Sequence, residues 1–529
     1  MLNGGAAQIT SHTSLITWLE RSLAACLLLL ALCAPHTIAG TQIAWLLGML
    51  VWVVRLAVRP RPALARTPVD YLLLGFFALT FLSSLLSRDP DISIGKLRAA
   101  SLFTIVYLVA ENVRAPRLLR ALTLTLVASC AVGTVYTFAV YAAGRGVKLG
   151  PLDEAGVLYA AGVREGDTIT EVDGVAVGDP AAIERGIRAA RAPGALRWPD
   201  GRPACLWDER AACLGGLQGE VLAVYNVARE LPPAEGATPE ERLGIRSWAR
   251  GRDDRASGLY GHYTTYAEVL QLVASLALGL LVGLRRKATL RGALLAAALA
   301  AMVAALILTV TRASSLALLL SALTVMLSGA SRRALALTIA VALPVALAGL
   351  FVLQQKRRVG FIDPREGSTA WRLTVWRESL DVLAAEPRRL LVGVGMDSIK
   401  RRWREWGMFD GGRLPVGHLH STPLQLAFER GLPALLLWLA LLAVYARTLW
   451  RLARRGGPHD PLVRGLALGA LGGTVGFFAS GLVHYNLGDS EVAMVFYLIM
   501  GLTLAADRMA GDTGAAAWEP TGRAAAGRV

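Results

Sequence analysis

The sequence predicts an all-α polytopic membrane protein of about twelve transmembrane helices, with a small α+β domain inserted in the first large loop. Three observations carry this. Hydrophobic residues make up 54% of the 529-residue chain and charged residues only 18%. Apolar stretches of roughly 17–25 residues recur, each enough to cross a ~30 Å hydrocarbon core. The runs are continuous rather than alternating, which excludes a barrel and leaves helices as the way to satisfy the backbone in lipid.

The predicted spans centre near residues 27, 50, 79, 105, 130, 273, 300, 320, 343, 435, 473 and 498, although the Ala-rich region 292–350 admits other divisions. The first stretch has no small-residue cleavage site followed by a polar segment, so it reads as a retained span. Short basic loops set the orientation. Arg55, Arg59, Arg61 and Arg66 follow span 2, and Arg114, Arg117 and Arg120 follow span 4. Arg285, Arg286, Lys287 and Arg291 follow span 6, Arg332 and Arg333 span 8, and Arg447, Arg451, Arg454 and Arg455 span 10. All fall on one side if both termini are cytoplasmic. The long connections, about 145–260 and 356–420, then lie on the outer side, expected to be the periplasmic face of a bacterial inner membrane. The net charge of +16 is mostly this topology signal and argues against a nucleic-acid partner.

The domain division expected is 1–144 for the first five spans, 145–232 for the insert and 233–355 for spans 6–9. A periplasmic loop at 356–420, the last three spans at 421–510 and a disordered cytoplasmic tail at 511–529 complete it.

Within the insert, "AAGVREGDTITEVDGVAV" (160–177) has a turn at Arg164–Asp167, alternation from Thr168 to Val172, and an Asp173-Gly174 turn. That is a strand-and-hairpin signal, and "DPAAIERGIRAA" after it reads as a short capped helix. The pattern resembles the PDZ family of bacterial envelope proteases over roughly 147–225, with "GEVLAVYNV" as a later strand. No clear carboxylate-binding loop is visible, so the insert reads as a structural or docking module, with a periplasmic protein as its partner. Cys26, Cys33 and Cys130 lie in apolar spans as small hydrophobes. Cys205 and Cys213 flank "LWDERAA" in the outer loop and are the candidate disulfide of an oxidising compartment.

The second outer loop is more polar than its surroundings. Arg372, Trp376 and Leu380 stand at i, i+4 and i+8, so Arg372 projects from the same helical face as Trp376. "EP…LLVGVGMDSI" reads as a helix end, a short strand and a glycine turn. The basic excess between Lys356 and Arg413 fits anionic headgroups or a phosphate-bearing substrate. The loop ends in "GHLHSTPLQL", where Thr422 is the expected N-cap of the next span, with Pro423 and Gln425 forming a capping box. His420 then sits just outside a helix N-terminus, whose dipole disfavours imidazolium and keeps the ring a proton acceptor. Two histidines without a neighbouring Asp, Glu or Cys ligand make a poor metal site. A catalytic base and a loop-lip histidine both remain open, with His418 as orienting or headgroup-contacting neighbour.

Other polar residues stand at outer ends of spans. "DDRASGLYGHYTTYAE" supplies Arg255 and His262, and "ILTVTRASS" supplies Arg312. An arginine at span depth costs ~2.5–3.5 kcal/mol and is a functional candidate, with snorkelling to the headgroups as the bland alternative. "GLVHYNLGDSEVAMVF" carries His484, Asn486, Asp489 and Glu491, either a capped turn or part of a polar cavity and acceptor site.

Arg255-Ala-Ser-Gly-Leu-Tyr-Gly-His262, Thr311-Arg-Ala-Ser314, Arg372-x-x-x-Trp376, Gly393-Val-Gly395 and His420-Ser-Thr-Pro-Leu-Gln…Glu429-x-Gly431 occur in this order. Together they resemble the O-antigen ligase (WaaL) family with its relatives, the Wzy polymerases and bacterial O-oligosaccharyltransferases. The resemblance implies a metal-independent glycosyltransferase of the GT-C type without a cofactor. Its donor would be a glycan on undecaprenyl diphosphate, and its acceptor a hydroxyl on lipid A–core, another glycan or a protein. His420 matches the family's histidine that deprotonates the acceptor. Arg312 and Arg372, with Arg255 as a third, match arginines that hold the diphosphate. Two departures stand out: Ser421 follows His420 where the family often has Asn, and the insert is foreign to the family pattern. The competing class is a transporter of the same lipid-linked glycan, which inverted repeats or paired broken helices would favour.

Overall fold

The structure is a computed structural model that describes residues 3–189, 211–215, 221–226, 231–232, 236–252, 255–331, 333, 336, 367–455 and 460–516. It divides into two compact units, Met1–Thr134 with Ser257–Val529, and Val135–Ala256.

Among the described residues, ten helices are long and apolar enough to cross a membrane: Ser14–Cys33, Ile38–Ala57, Pro90–Asn112, Pro116–Ala143, Tyr263–Gly283, Leu290–Leu308, Arg312–Gly329, Thr422–Arg454, Pro461–Gly481 and Ser490–Gly511. Each covers one expected centre. The expected third span is the helix Asp70–Leu86, apolar but only 17 residues long. The span expected near 343 lies outside the described residues. The chain is a multi-pass, all-α membrane protein.

Burial sorts these helices. The apolar windows of Tyr263–Gly283, Ser490–Gly511 and Pro461–Gly481 are 89%, 83% and 72% buried, against 22% for Leu290–Leu308. The first three form the interior, which is where polar side chains must find protein partners. The Tyr263 and Pro461 helices cross at glycine. A Cβ on Gly279 would lie 2.1 Å from Gly469 N, so only bare backbone permits this approach. Ser275 Oγ donates to Gly469 O (2.9 Å) across the same seam. The close crossing fixes Glu268 on one helix against Ser480 on the other.

The helix that follows "GHLHS" is broken. Gly431 adopts φ 82°, ψ 167°, and Pro433 follows, so Thr422–Arg430 forms a short half and the remainder to Arg455 a long one. The break frees two carbonyls. Val394 N–H donates to Phe428 O (2.9 Å), and Gly395 N–H and Ser83 Oγ donate to Glu429 O (3.0 and 2.8 Å). Gly393 (φ 70°) is needed there, since a Cβ would stand 2.3 Å from Glu429 C. This docking replaces the expected short strand: Pro387–Val392 is helical, and the Gly-Val-Gly backbone then bonds to the broken helix instead of to a ladder.

Ion pairs hold the same loop against the start of the Pro90–Asn112 segment. Arg402 grips the nearly fully buried Asp89 with two bonds (2.9 and 3.1 Å), Arg401 reaches Asp91 (3.1 Å), and Arg88 bridges Glu386 and Glu405 (3.1 and 3.0 Å). Arg401 and Arg402 thus set part of the loop's basic excess against Asp91 and Asp89.

The Val135–Ala256 unit carries two small antiparallel sheets. Val147–Leu149 pairs with Thr168–Ile169 and with Trp248–Arg250. Glu171–Val172 pairs with Val175–Ala176 and with Ala211–Gly215, which pairs with Val221–Asn226. The Asp173-Gly174 hairpin turns as expected, both residues at positive φ. The single strand expected over 168–172 is split between the two sheets. Trp248–Arg250 joins this unit although it lies beyond 232. Asp179 caps the helix Pro180–Ala189 through Ala182 N–H (2.7 Å). Under that helix, Ile169, Val172, Ile183, Ile187 and Leu243 form the core. Cys205 and the side chain of Cys213 lie outside the described residues. The last membrane helix continues to Ala516, into the expected tail, and 517–529 lie outside the described residues.

Candidate functional site at one end of the helix bundle

His420 occupies the turn before the broken helix at φ 47°, a left-handed conformation uncommon outside glycine. Leu419, beside it, is clamped: its N–H donates to Gln425 Oε1 (2.7 Å) and its carbonyl accepts from Trp376 Nε1 (2.6 Å). The expected capping box is therefore off by one. The helix begins at Thr422, Ser421 Oγ accepts weakly from Leu424 N–H (3.5 Å), and Gln425 reaches back to Leu419 rather than to Thr422. The His420 ring stands 4.1 Å from the His418 ring and meets Trp371 edge-on at 5.0 Å.

Burial pushes His420 far below the ordinary histidine value, and the nearby charges of His418, Arg372, His484 and His262 push the same way. Desolvation, first, and then the neighbouring side-chain charges keep the ring neutral. His418 is lowered to about 4, chiefly by burial and then by Lys400. Its Nδ1 accepts from the His420 N–H (3.2 Å), so the neutral ring carries its proton on Nε2 and offers a donor.

Behind these histidines lies a carboxylate that joins three helices. Glu268, fully buried, accepts from Ser480 Oγ (2.7 Å), Ser314 Oγ (3.3 Å) and Asn486 Nδ2 (3.5 Å), and pairs with His484 Nδ1 at 2.8 Å. A carboxylate only accepts, so His484 Nδ1 carries a proton. The loop so held accepts from Thr422, whose N–H and Oγ1 both donate to His484 O (3.0 Å each) and whose Oγ1 also donates to Asn486 Oδ1 (2.8 Å). Glu268 thereby fixes where the His420 turn ends.

Beside His418 opens a cavity of about 190 Å³ whose wall includes Lys96, Asp397, Glu429, Arg430, Tyr485 and Asp489. Asp489 accepts from Thr265 Oγ1 (3.0 Å), and burial, reinforced by Glu491 and Glu268, raises its carboxyl to about 7. Burial and Glu429 raise the Tyr485 phenol well above its ordinary value. Among the described residues no group of three His, Cys, Asp or Glu side chains forms a metal donor set.

The structure gathers most of the expected residues at one end of the membrane unit. Arg372, on the helix Gly367–Ala384, acts on the His420 charge. Arg312 opens the helix whose Ser314 reaches Glu268, two residues after Val310 at φ 53°, a strained conformation for a β-branched residue. His262 precedes the Tyr263 helix, stacked on Tyr263 at 5.0 Å, and burial with His484 nearby lowers its pKa. Asn486 does not line the cavity; its amide is spent on Phe477 O, Ser480 and Glu268. Glu491 is half-buried at the start of its helix and also lies outside the lining. Arg255 is half-buried within the other unit. Sequence reasoning missed Glu268, Arg430, Tyr485 and Trp371, and gave Glu429 no role. The signal available for the first two and for Glu429 was an ionisable residue inside an apolar run.

Residues 297–439 match the family model described as O-antigen ligase. No curated protein matches the chain. The family is glycosyltransferase-like and works on lipid-linked glycans in a membrane. The matched segment, which holds Arg312, Arg372, His418 and His420, is similar to the O-antigen ligase/Wzy superfamily.

Proposed function

We propose that the chain transfers a glycan from undecaprenyl diphosphate to an acceptor hydroxyl on the periplasmic face of the inner membrane, with lipid A–core as the leading acceptor. Polysaccharide polymerisation and protein O-glycosylation use the same donor chemistry and are the sister readings. The observation that carries the proposal is the neutral, half-buried His420 beside the cationic Arg372, inside the family-matched segment.

In the reaction, the acceptor oxygen forms a bond to the anomeric carbon as that carbon's bond to the diphosphate oxygen breaks. The acceptor proton passes to His420, and the electron pair leaves with the diphosphate. Arg312 and Arg372 bind the departing phosphate oxygens in forks that stay charged at any working pH. If the two contacts act only in the transition state, at ~1.5–3 kcal/mol each they supply roughly 10²–10⁴ in rate. A base as weak as the free-enzyme His420 is poorly matched to this task. The donor narrows the mismatch: its diphosphate neutralises Arg372, which removes one of the charges that add to burial in depressing His420. Acceptor deprotonation thus waits for donor.

The test is transfer by purified full-length protein in nanodiscs, with EDTA present, from undecaprenyl-diphosphate glycan to lipid A–core, a second donor molecule or a periplasmic protein, each alone. Transfer to lipid A–core supports ligation, and transfer only to another acceptor moves the chain to a sister activity. A folded, donor-binding protein that transfers to none and carries the donor across a vesicle bilayer would be a transporter.

A further inference from the structure

Arg430 ends the short half of the broken helix and is only 7% exposed, on the wall of the cavity beside His418. A guanidinium so buried at span depth calls for a counter-charge. Among the described residues no carboxylate oxygen approaches it within 4.0 Å. Its Nε has no hydrogen-bond partner. Its Nη2 finds only Met396 Sδ and Tyr485 OH, each at 3.5 Å, and its charge stands 5.2 Å from the Phe76 ring centre.

The acids that share the wall are engaged elsewhere. Glu429 accepts at Oε1 from Asp397 N–H and Gln425 Nε2 (both 2.9 Å) and at Oε2 from Tyr485 OH (3.3 Å). Asp397 contacts both other cations of the cavity, Lys96 (2.9 Å) and Lys400 (3.1 Å), one carboxylate shared between two ammonium groups. Asp489 bonds to Thr265. Among the described residues Arg430 is left as the cation of the cavity wall with no direct carboxylate contact. At ~30 Å³ per water, about 190 Å³ holds roughly six waters, the scale of one sugar ring rather than a chain.

We infer that the cavity is the acceptor's subsite for an anionic sugar, a glycosyl residue whose carboxylate or phosphate is gripped by Arg430. This rests on the glycosyl-transfer reading above. Neither Arg312 nor Arg372, the arginines assigned to the donor diphosphate, lines the cavity, which leaves it to the other substrate. A sugar seated on Arg430 extends past the His418 Nε2–H toward His420, 4.1 Å further on between ring centres. A forked guanidinium suits either anion, and a neutral sugar would leave the buried charge unmatched.

The experiment is saturation-transfer NMR on the full-length protein in nanodiscs, with glucose, glucuronate and glucose 6-phosphate as probes. Wild type is expected to bind at least one of the anionic sugars tenfold or more tightly than glucose. Which of the two it prefers tells carboxylate from phosphate. Arg430→Gln is expected to erase the difference and Arg430→Lys to keep part of it. Equal binding of all three probes by wild type overturns the inference, and so does a difference that survives Arg430→Gln. Saturating undecaprenyl diphosphate is expected to leave the anionic probe bound; displacement would give the cavity to the donor and sink the acceptor assignment. If Arg430→Gln does not elute as a folded species, the wild-type preference and the Arg430→Lys response still decide. A wild type that discriminates yet transfers nothing faults the transferase reading alone. One that transfers without discriminating faults the subsite alone.

Discussion

Replacing Glu268 tests how the bundle holds its histidines. Glu268→Gln keeps shape and removes charge. Neutral polar pairs between membrane helices contribute ~0.6 kcal/mol on average, and charge-assisted bonds are roughly twice as strong. Glu268 has two short contacts, to Ser480 (2.7 Å) and His484 (2.8 Å). Weakening both, together with placing a donating amide against another donor, should cost roughly 2 kcal/mol. Glu268→Leu removes every acceptor. Ser480 and Asn486 keep alternatives at Phe477 O and Ser314 loses only a long bond (3.3 Å), so the main orphan is His484 Nδ1. An unsatisfied buried donor adds ~1–3 kcal/mol, which brings Glu268→Leu to about 3–5 kcal/mol. Unfolding free energies from SDS titration of the purified variants measure both. A double-mutant cycle of Glu268→Gln with His484→Gln should return a coupling near 1 kcal/mol. If Glu268→Leu is as stable as wild type, the carboxylate does not tie these helices together and the reasoning fails.

Stability should depend on pH through opposed groups, the histidines that burial holds neutral (His420, His418 and His262) and the protonated carboxyl of Asp489. His418 stays neutral in the folded protein to about 4 but protonates near 6.5 when unfolded, so its contribution is complete above pH 6.5 and lost as pH falls toward 4. Asp489 keeps its proton to about 7 when folded against 3.8 unfolded, so its contribution is present below pH 3.8 and lost as pH rises toward 7. Between pH 4.5 and 6.5 Asp489 offsets part of the slope that the histidines impose. Asp489→Asn should therefore steepen the loss of stability on acidification by up to one proton, ~1.4 kcal/mol per pH unit, in SDS titrations across that range; an unchanged slope contradicts it. Gly393→Ala, whose Cβ would fall 2.3 Å from Glu429 C at φ 70°, should destabilise by roughly 2–4 kcal/mol. Gly417→Ala, with nothing within 4 Å, should stay within about 0.5 kcal/mol of wild type by the same titration, and equal losses in the two would refute the docking of the Gly-Val-Gly loop on the broken helix.

Hydropathy made the membrane architecture readable because a span needs only length and apolarity. The transmembrane runs had both, and Asp70–Leu86 fell short of span length. His420 was legible because it stands in a short polar lip before a long apolar run. What it leans on was not. Glu268 and His484 are far apart in the chain and meet only because Gly279 and Gly469 let two helices touch. The cavity depends on a helix break at Gly431 and on a distant loop that fills it, and local periodicity reports neither. The capping box failed for a similar reason: the Thr-x-x-Gln pattern was present, but Gln425 found a better donor in Leu419 N–H. Arg430 was visible as a charge in an apolar run, yet only packing tells a neutralised arginine from one left open.

The account's central claim is that His420 takes the acceptor proton once the donor is bound. The direct measurement is single-turnover glycan transfer by wild type and His420→Ala, with saturating donor and EDTA present, alongside donor-lipid binding to each. The account predicts a ~10²–10⁴-fold slower transfer step in the variant, with donor binding retained. Transfer by His420→Ala at the wild-type rate would contradict it and move the search for the base to His418 or to His484 on Glu268.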